Sequence, residues 1–362
     1  MDEARLRKNL EILRGVCDRT GCKILLAQKA FSMYAVYPVI REYLAGTTAS
    51  GLYEARLGHD HFGGETHVFS PAYRESEFDE LLSYADHFVF NSCGQLRKYA
   101  SRAKAAGKSV GLRVNPMCST QEGHAIYDPC APGSRLGTTL ANFDVSLLPM
   151  LDGLHFHTLC EQNSDALEVT AQAFEKQFGQ YLHGLKWLNF GGGHHITRPD
   201  YDIARLERVI AHFRDTYGVQ VYLEPGEAVV YHAGFLVSSV LETLHNGLDI
   251  AILDTSAACH MPDVLEMPYR PPLMHSGDGD EKAHTYRLAG PTCLAGDVIG
   301  DYSFDTPLAE GQKLVFEDMA LYTMVKTNTF NGMPLPAIVW RDMEGQGWLV
   351  RQFGYEDFRS RI

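Results

Sequence analysis

Five short apolar runs in this 362-residue chain end in a group able to bond covalently, titrate or cradle an anion. ILLAQ leads to Lys29; SVGLRV carries Arg113 and leads to Asn115; DGLHFH carries His155 and His157. LKWLNF is followed by Gly191, Gly192 and Gly193, and VQVYLEP carries Glu224 ahead of Pro225 and Gly226. A lysine leaving an apolar strand is desolvated, which lowers its pKa and frees the amine for a Schiff base; a lysine that snorkels to the surface does neither. Three glycines after a strand bring backbone N–H groups together on a phosphate, or simply turn the chain. A carboxylate ending an apolar strand needs a partner, and a cationic ring nitrogen or an arginine would each serve Glu224. His157 is equally able to stack on a flat ring or to fill a core.

Further candidates lie downstream. In GPTCLAGD (290–297) Cys293 occupies a loop flanked by glycine and proline, with Asp297 four residues on. Such a thiol is placed for proton transfer, or is a buried sulfur in a turn. Tyr322, in ALYTMVKTNTFNG, reads as a core aromatic or as a phosphate-binding hydroxyl. His194 and His195, with His59 and His61 upstream, invite a metal. Adjacent histidines on a loop point different ways, however, and no third carboxylate ligand recurs at suitable spacing, so no metal is expected.

These groups can act together only if the elements bring the run ends to one place. Eight apolar runs, 24–29, 46–50, 66–70, 87–91, 109–114, 152–157, 185–190 and 219–225, alternate with helical patterns such as FDELLSYA, LRKYASRAKAAG, ALEVTAQAFEKQFGQYL and IARLERVIAHFRDTYG. That alternation predicts a (β/α)8 barrel of the TIM type over 23–234, preceded by a helix over 1–22. A doubly wound sheet competes, but eight units over about 210 residues fit the barrel better. In a barrel the reacting groups sit at the C-terminal strand ends, where all five lie. From 235 to 362 the runs FLVSSVLETL, LDIAILDTS, TYRLAG, QKLVFEDM, YTMVKT, PAIVWRD and WLVRQF, separated by HNG, GDGD, AEGQ and NGMP, predict an antiparallel, β-barrel-like domain. The stretch 267–284 reads as an exposed loop.

Composition narrows the partners. With 32 Lys plus Arg against 45 Asp plus Glu the net charge is −13, which repels nucleic acid and anionic lipid and favours a cationic ligand. The N-terminus alternates charge at helical spacing and lacks a signal-peptide core, and no apolar run spans a bilayer. A soluble cytoplasmic enzyme is expected. Its eight cysteines carry no C-x-x-C pair, so most are expected to be reduced and structural.

Taken in order, LLAQKAFS, TTASGLYEARLG, NSCGQL, GLRVNP, SRLG, GLHFHTLCE, FGGGHH, LEPGEAV, GPTCLAGD and YTMVKTNTFNG resemble the fold-type III pyridoxal-phosphate-dependent decarboxylases. That family includes the ornithine, diaminopimelate and carboxynorspermidine decarboxylases. FGGETHVFS, HFHTLCEQN, EPGEAVV and the terminal FGYEDF resemble the carboxynorspermidine branch. The resemblance implies pyridoxal 5'-phosphate as cofactor, Lys29 as its Schiff-base lysine and His157 as the ring-stacking group. It implies Gly191, Gly192, Gly193 and Tyr322 as phosphate ligands, Glu224 as partner of the pyridine nitrogen and Arg113 as support on the cofactor side. Cys293 becomes an acid supplied by the other subunit of a homodimer, and Glu227 and Asp297 become substrate ligands, Asp297 at the distal amine. The implied reaction is decarboxylation of carboxynorspermidine and carboxyspermidine to norspermidine and spermidine. Another diamino acid decarboxylase, and less so a racemase, are the alternatives. Family members begin with a T-P-x-(F/Y) strand; this chain starts inside that pattern at Met1 and Asp2, so a first strand of the β domain is expected to be missing.

Overall fold

A computed structural model describes residues 1–121 and 125–362, in two compact units: Arg7–Val229, and Met1–Leu6 together with Val230–Ile362. In the first unit all eight expected runs are strands: β1 (Lys23–Ala27), β2 (Gly46–Ala49), β3 (Glu65–Phe69), β4 (His87–Phe90), β5 (Ser109–Arg113), β6 (Gly153–His155), β7 (Trp187–Asn189) and β8 (Gln220–Leu223). Each pairs in parallel with the next, and β8 pairs with β1 to close the barrel. The outer helices start where side chains satisfy free N–H groups. Ser92 accepts from Gln95 ahead of Cys93–Ala105, Asn163 from Ser164 ahead of Ser164–Phe178, and Asp202 from Arg205 ahead of Ile203–Tyr217. The last of these turns Leu206, Val209, Ile210 and Phe213 inward at helical spacing. One βα unit departs from the regular pattern. Between β5 and β6 the described residues form only short 3-10 turns, because Pro116, Pro129, Pro132 and Pro149 deny a helix its N–H groups.

Alternation along the strands decides what fills the barrel. Leu25, Val89, Trp187 and Tyr222 form an apolar cluster inside. Trp187 on β7 fits only because the next two strands, β6 and β5, have glycine at its level. A Cβ built on Gly153 would lie 2.0 Å from the indole ring, and one on Gly111 2.2 Å. Nearer the strand starts the filling is polar: the His67 and His87 rings stack at 3.9 Å and 9°, Tyr222 donates to Glu65 at 3.0 Å, and Lys23 pairs with Glu65.

The second unit holds a five-stranded sheet in the order β12-β11-β10-β9-β13, from β9 (Phe235–His245), β10 (Asp249–Leu253), β11 (His284–Ala289), β12 (Val298–Phe304) and β13 (Lys313–Glu317). A separate hairpin joins β14 (Ile338–Arg341) to β15 (Gly347–Arg351). The sheet is mostly antiparallel, as expected, but β10 and β11 run parallel. The 30 residues between them, 254–283, are long enough for the crossover a parallel pair needs. Two details correct the sequence reading. β12 is a strand that no expected run covered, its pattern interrupted by Gly300 and Asp301, and YTMVKT is not a strand but a 3-10 turn over Met324–Lys326. The stretch 267–283 has no helix or strand, yet Pro271 and Leu273 are buried, and bridges from Leu273 to Phe316 and from Gly277 to Ser303 pin it. Asp2 forms a single parallel bridge with Arg341.

Gly153→Ala should therefore force the Trp187 indole out of place at a cost of about 1–3 kcal/mol. The checking measurement is the thermal midpoint; a variant melting within about 1 °C of the parent would show that the interior accommodates the methyl.

Candidate active site

The turn after β1 is held on both sides. Gln28 donates its N–H to the Thr48 carbonyl at 3.1 Å and its amide to the Glu54 carbonyl at 2.8 Å, while accepting from the Tyr37 hydroxyl at 3.0 Å. Lys29 follows on this braced turn. Solvent reaches its side chain, yet the ammonium lies deep among protein atoms. Burial, aided by the nearby Arg113 charge, lowers its pKa below the ordinary lysine range.

Glu224, just past β8, is buried and ionised. Burial by itself would raise its pKa; hydrogen bonds from His155 and Asn189 and the influence of His67 outweigh that and hold it at about 2. Asn189 Nδ2 donates to Oε1 at 2.8 Å, and His155 Nε2 lies 3.3 Å from Oε2. The His155 pKa is itself lowered by burial, so near pH 7 the ring is neutral and offers Glu224 an N–H rather than a full charge. Its other face stacks on Phe69 at 5.7 Å. Phe69 also carries Arg113, whose guanidinium lies 4.6 Å from the ring centroid and donates to the His157 carbonyl at 3.3 Å. Burial brings the Arg113 pKa down to about 10, which leaves it charged at neutral pH.

The glycine run ties these groups together. Gly191 donates its N–H to Asn189 Oδ1 at 2.8 Å and Gly192 donates to His157 Nδ1 at 3.2 Å. Burial keeps the His157 pKa well below the ordinary value, so the ring is neutral, with Nδ1 accepting and the proton on Nε2. The expectation that all three glycine N–H groups stand bare is corrected here: two of them position neighbouring side chains. Glycine is still required. Gly191 and Gly193 have φ of +70° and +83°, and Cβ atoms on Gly191, Gly192 and Gly193 would meet His157, the Glu224 carbonyl and the Leu159 carbonyl at 2.6, 2.5 and 2.1 Å.

Lys29, Arg113, His157, Gly191 to Gly193 and Glu224 all belong to the first unit, as does Glu227, whose Oε2 lies 3.3 Å from His195 Nε2. Cys293, Asp297 and Tyr322 belong to the second. Cys293 is exposed, and its N–H donates to Asn331 Oδ1 at 2.8 Å. Tyr322 has a φ of +53°. Asp297 does not suit the role expected of it. It is buried, and its carboxylate already accepts from Ser256 Oγ at 3.0 Å, Ala258 N at 3.2 Å, Thr292 Oγ1 at 2.6 Å and Thr292 N at 3.3 Å. A carboxylate with four donors braces its own loop and has no free lone pair for a substrate amine. Asn189 was not singled out by the sequence reading, which named His155 as a strand-end group but gave it no role. The alternation Trp187, Asn189 along β7 was the available signal, since it turns both residues inward.

This set suits a phosphorylated pyridine aldehyde. It offers an amine of lowered pKa, an ionised buried carboxylate, a neutral flat imidazole, a cation and a glycine run packed tightly against His157 and the loops after β6 and β8. Comparison with known proteins agrees. The family model described as pyridoxal-dependent decarboxylase, C-terminal sheet domain, matches residues 16–320. The chain belongs to the pyridoxal-dependent decarboxylases. It is 43% identical to the carboxynorspermidine/carboxyspermidine decarboxylase of Campylobacter jejuni, covering 100% of this chain and 97% of that one. It is 42% identical to the carboxyaminopropylagmatine decarboxylase of Synechocystis, covering 100% and 94%. The crystal structure of Campylobacter jejuni carboxynorspermidine decarboxylase with norspermidine superposes with a TM-score of 0.93 at 42% identity, over 100% of this chain and 98% of that one. A diaminopimelate decarboxylase structure at 18% identity and a TM-score of 0.84 shares the fold. Pyridoxal 5'-phosphate is accordingly the cofactor.

Lys29→Ala should abolish both turnover and the near-visible absorbance band that borohydride removes from the holoenzyme. Retention of that band in the purified variant would exclude Lys29 as the covalent anchor.

Proposed function

We propose that the enzyme removes the α-carboxylate of a carboxylated polyamine, converting carboxynorspermidine to norspermidine and carboxyspermidine to spermidine in polyamine biosynthesis. The observation that carries this reading is the end-to-end match, at 43% and 42% identity, to two enzymes named for carboxylated amines of this kind. A guanidine-bearing analogue is the second reading, favoured by the 42% identity to the carboxyaminopropylagmatine enzyme.

When bound, the cofactor supplies an electron sink for the pair left behind by departing CO2. The chain's own residues make that sink work. Lys29 Nζ would hold the cofactor through its carbonyl carbon, and the lowered pKa of the amine favours the neutral form that such a bond needs. Glu224, ionised at about pKa 2, favours a proton on the ring nitrogen. His155 and Asn189 hold that carboxylate in place. His157 would pack as a neutral plate, and Arg113, Tyr322 and the glycine loop that His157 and Asn189 brace would hold the anionic end, so binding is drawn from a part that does not react. Cys293 Sγ then delivers a proton to the carbon that lost CO2.

Cys293 and Lys29 serve one reaction from two different units, and we read the working form as a homodimer in which Cys293 of one copy completes the site of the other. The exposed apolar side chains Val237, Leu241, Trp348 and Leu349 on the second unit support a covered surface there. Among the described residues no helix is long and apolar enough to cross a membrane. All eight cysteines are free, in keeping with work in the reducing cytoplasm.

Steady-state kcat/KM should be highest for carboxynorspermidine, carboxyspermidine or carboxyaminopropylagmatine. The first two should stand within a modest ratio, since one methylene is worth about 1–3 kcal/mol. Ornithine and diaminopimelate should be poor, and either of them as best substrate would overturn the assignment. A 1:1 mixture of exchanging Lys29→Ala and Cys293→Ala subunits should recover about a quarter of parental activity, because half the dimers are hybrids with one intact site. No recovery despite demonstrated exchange would rule out shared sites.

A further inference from the structure

Gly21 and Cys22 join the helix Glu3–Thr20 to β1, and Cys17 lies in the last turn of that helix. Gly21 has a φ of +71°, and its N–H donates to the Cys17 carbonyl at 2.8 Å. A left-handed cap of this kind bends the chain back, so that the residue after the glycine packs on the residue whose carbonyl is capped. Here those two residues are Cys22 and Cys17. Thr20 fixes the bend from within, donating its hydroxyl to the Val16 carbonyl at 2.7 Å and accepting the Cys22 N–H at 3.2 Å. The base of the barrel grips it from outside: Arg214 Nη1 donates to the Thr20 carbonyl at 2.6 Å, and Gln220 Nε2 to the Gly21 carbonyl at 2.8 Å. The two thiols accordingly meet and share a hydrogen bond.

They are not equivalent. The hydrogen bond from Cys22, the Ile24 N–H and the Arg14 charge together outweigh burial and hold the Cys17 thiol below its ordinary pKa. Cys22, which gives that hydrogen bond and is buried, is raised and stays protonated at neutral pH. Elsewhere burial pushes the thiols of Cys118, Cys130, Cys160 and Cys259 up. Cys17 is half-buried, and Cys22 lines a cavity of about 340 Å3 together with Lys186, Ile210 and Arg214, room enough for a small peroxide.

We propose that Cys17 and Cys22 form a peroxide-sensitive dithiol, a site of reversible oxidation at the opposite end of β1 from the Lys29 turn. The Cys17 thiolate attacks one oxygen of hydrogen peroxide, the O–O bond breaks, and the other oxygen takes up a proton and leaves as water, so that Cys17 becomes a sulfenic acid. The Cys22 sulfur then attacks the Cys17 sulfur. The S–S bond forms as the S–O bond breaks, and the departing hydroxide takes the Cys22 proton to become a second water. Two thiols and one peroxide thus give one disulfide and two waters, and a dithiol reductant reverses the change by exchange. The bond ties the last helical turn to the start of β1, one of the two strands whose pairing closes the barrel.

The test exposes the holoenzyme to limiting hydrogen peroxide, alkylates the remaining thiols and maps tryptic peptides by mass spectrometry. Peptides 15–19 and 20–23 should appear joined, two hydrogens lighter than the separate pair and parted by dithiothreitol. The joined species should form at least about tenfold faster than Cys118, Cys130, Cys160 or Cys259 is consumed. In Cys22→Ser, dimedone should capture a sulfenic acid on Cys17; in Cys17→Ser, Cys22 should stay reduced at the same exposure. Separate, alkylated Cys17 and Cys22 in the parent after those four thiols have reacted would overturn the proposal. So would sulfinic acid on Cys17 of the parent without any joined peptide, and both of these results are read on the parent alone, whether or not either variant folds.

Discussion

A carboxylate enclosed in a barrel would ordinarily take up a proton, because the interior solvates the neutral acid better than the anion. Glu224 remains ionised because β6 and β7 each contribute one donor at its level, His155 and Asn189. That arrangement depends on register. His155 is paired with Asn189, and Asn189 with Tyr222, so a slip of one residue in any of the three strands would turn a donor outward and leave the charge unsupported. The consequences reach further than the acid. Asn189 also receives the Gly191 N–H, and the next glycine holds His157, so the same hydrogen-bonded chain orients the anion, the glycine wall and the imidazole plate.

The rest of the barrel interior serves this layer from below. Trp187 occupies the space that Gly111 and Gly153 leave, and Phe69 supports Arg113 and His155 together. Toward the strand starts the filling is polar. Glu65 is satisfied by Lys23, Tyr222 and His67, and burial and the neighbouring His67 hold the stacked His87 at a pKa of about 3. The stacking of the two rings packs this end of the barrel interior. The division between a stabilising floor and a reactive mouth is that of other (β/α)8 enzymes.

In the second unit, acidic residues build loops. Asp297 gathers four donors and shapes GPTCLAGD, and Asn331, itself at a φ of +55°, accepts the Cys293 N–H. Tyr322 is likewise in the left-handed region. Residues other than glycine stay there only where their surroundings compel it, and such positions gather at functional loops. The thiol is thus presented by a braced loop while remaining exposed.

The barrel was legible in the sequence because each strand is a short apolar run bounded by turn residues, and because reacting groups at the C-terminal ends of strands interrupt those runs visibly, as at Lys29, Arg113, His157 and Glu224. The β domain was less so. β12 hides behind Gly300 and Asp301, and the parallel pairing of β10 with β11 has no local signature, being set by the length and packing of the crossover. Asp297 shows the same limit at the level of one side chain. A carboxylate in a glycine-rich loop reads identically whether it awaits an amine or is saturated by its own loop, since the donors from Ser256 and Ala258 are about 40 residues away in the chain. Residue type and period determined which groups could do chemistry and which strand ends would carry them. Only the tertiary structure decided that Asp297 is saturated, because hydrogen-bond partners are neighbours in space that sequence separation does not reveal.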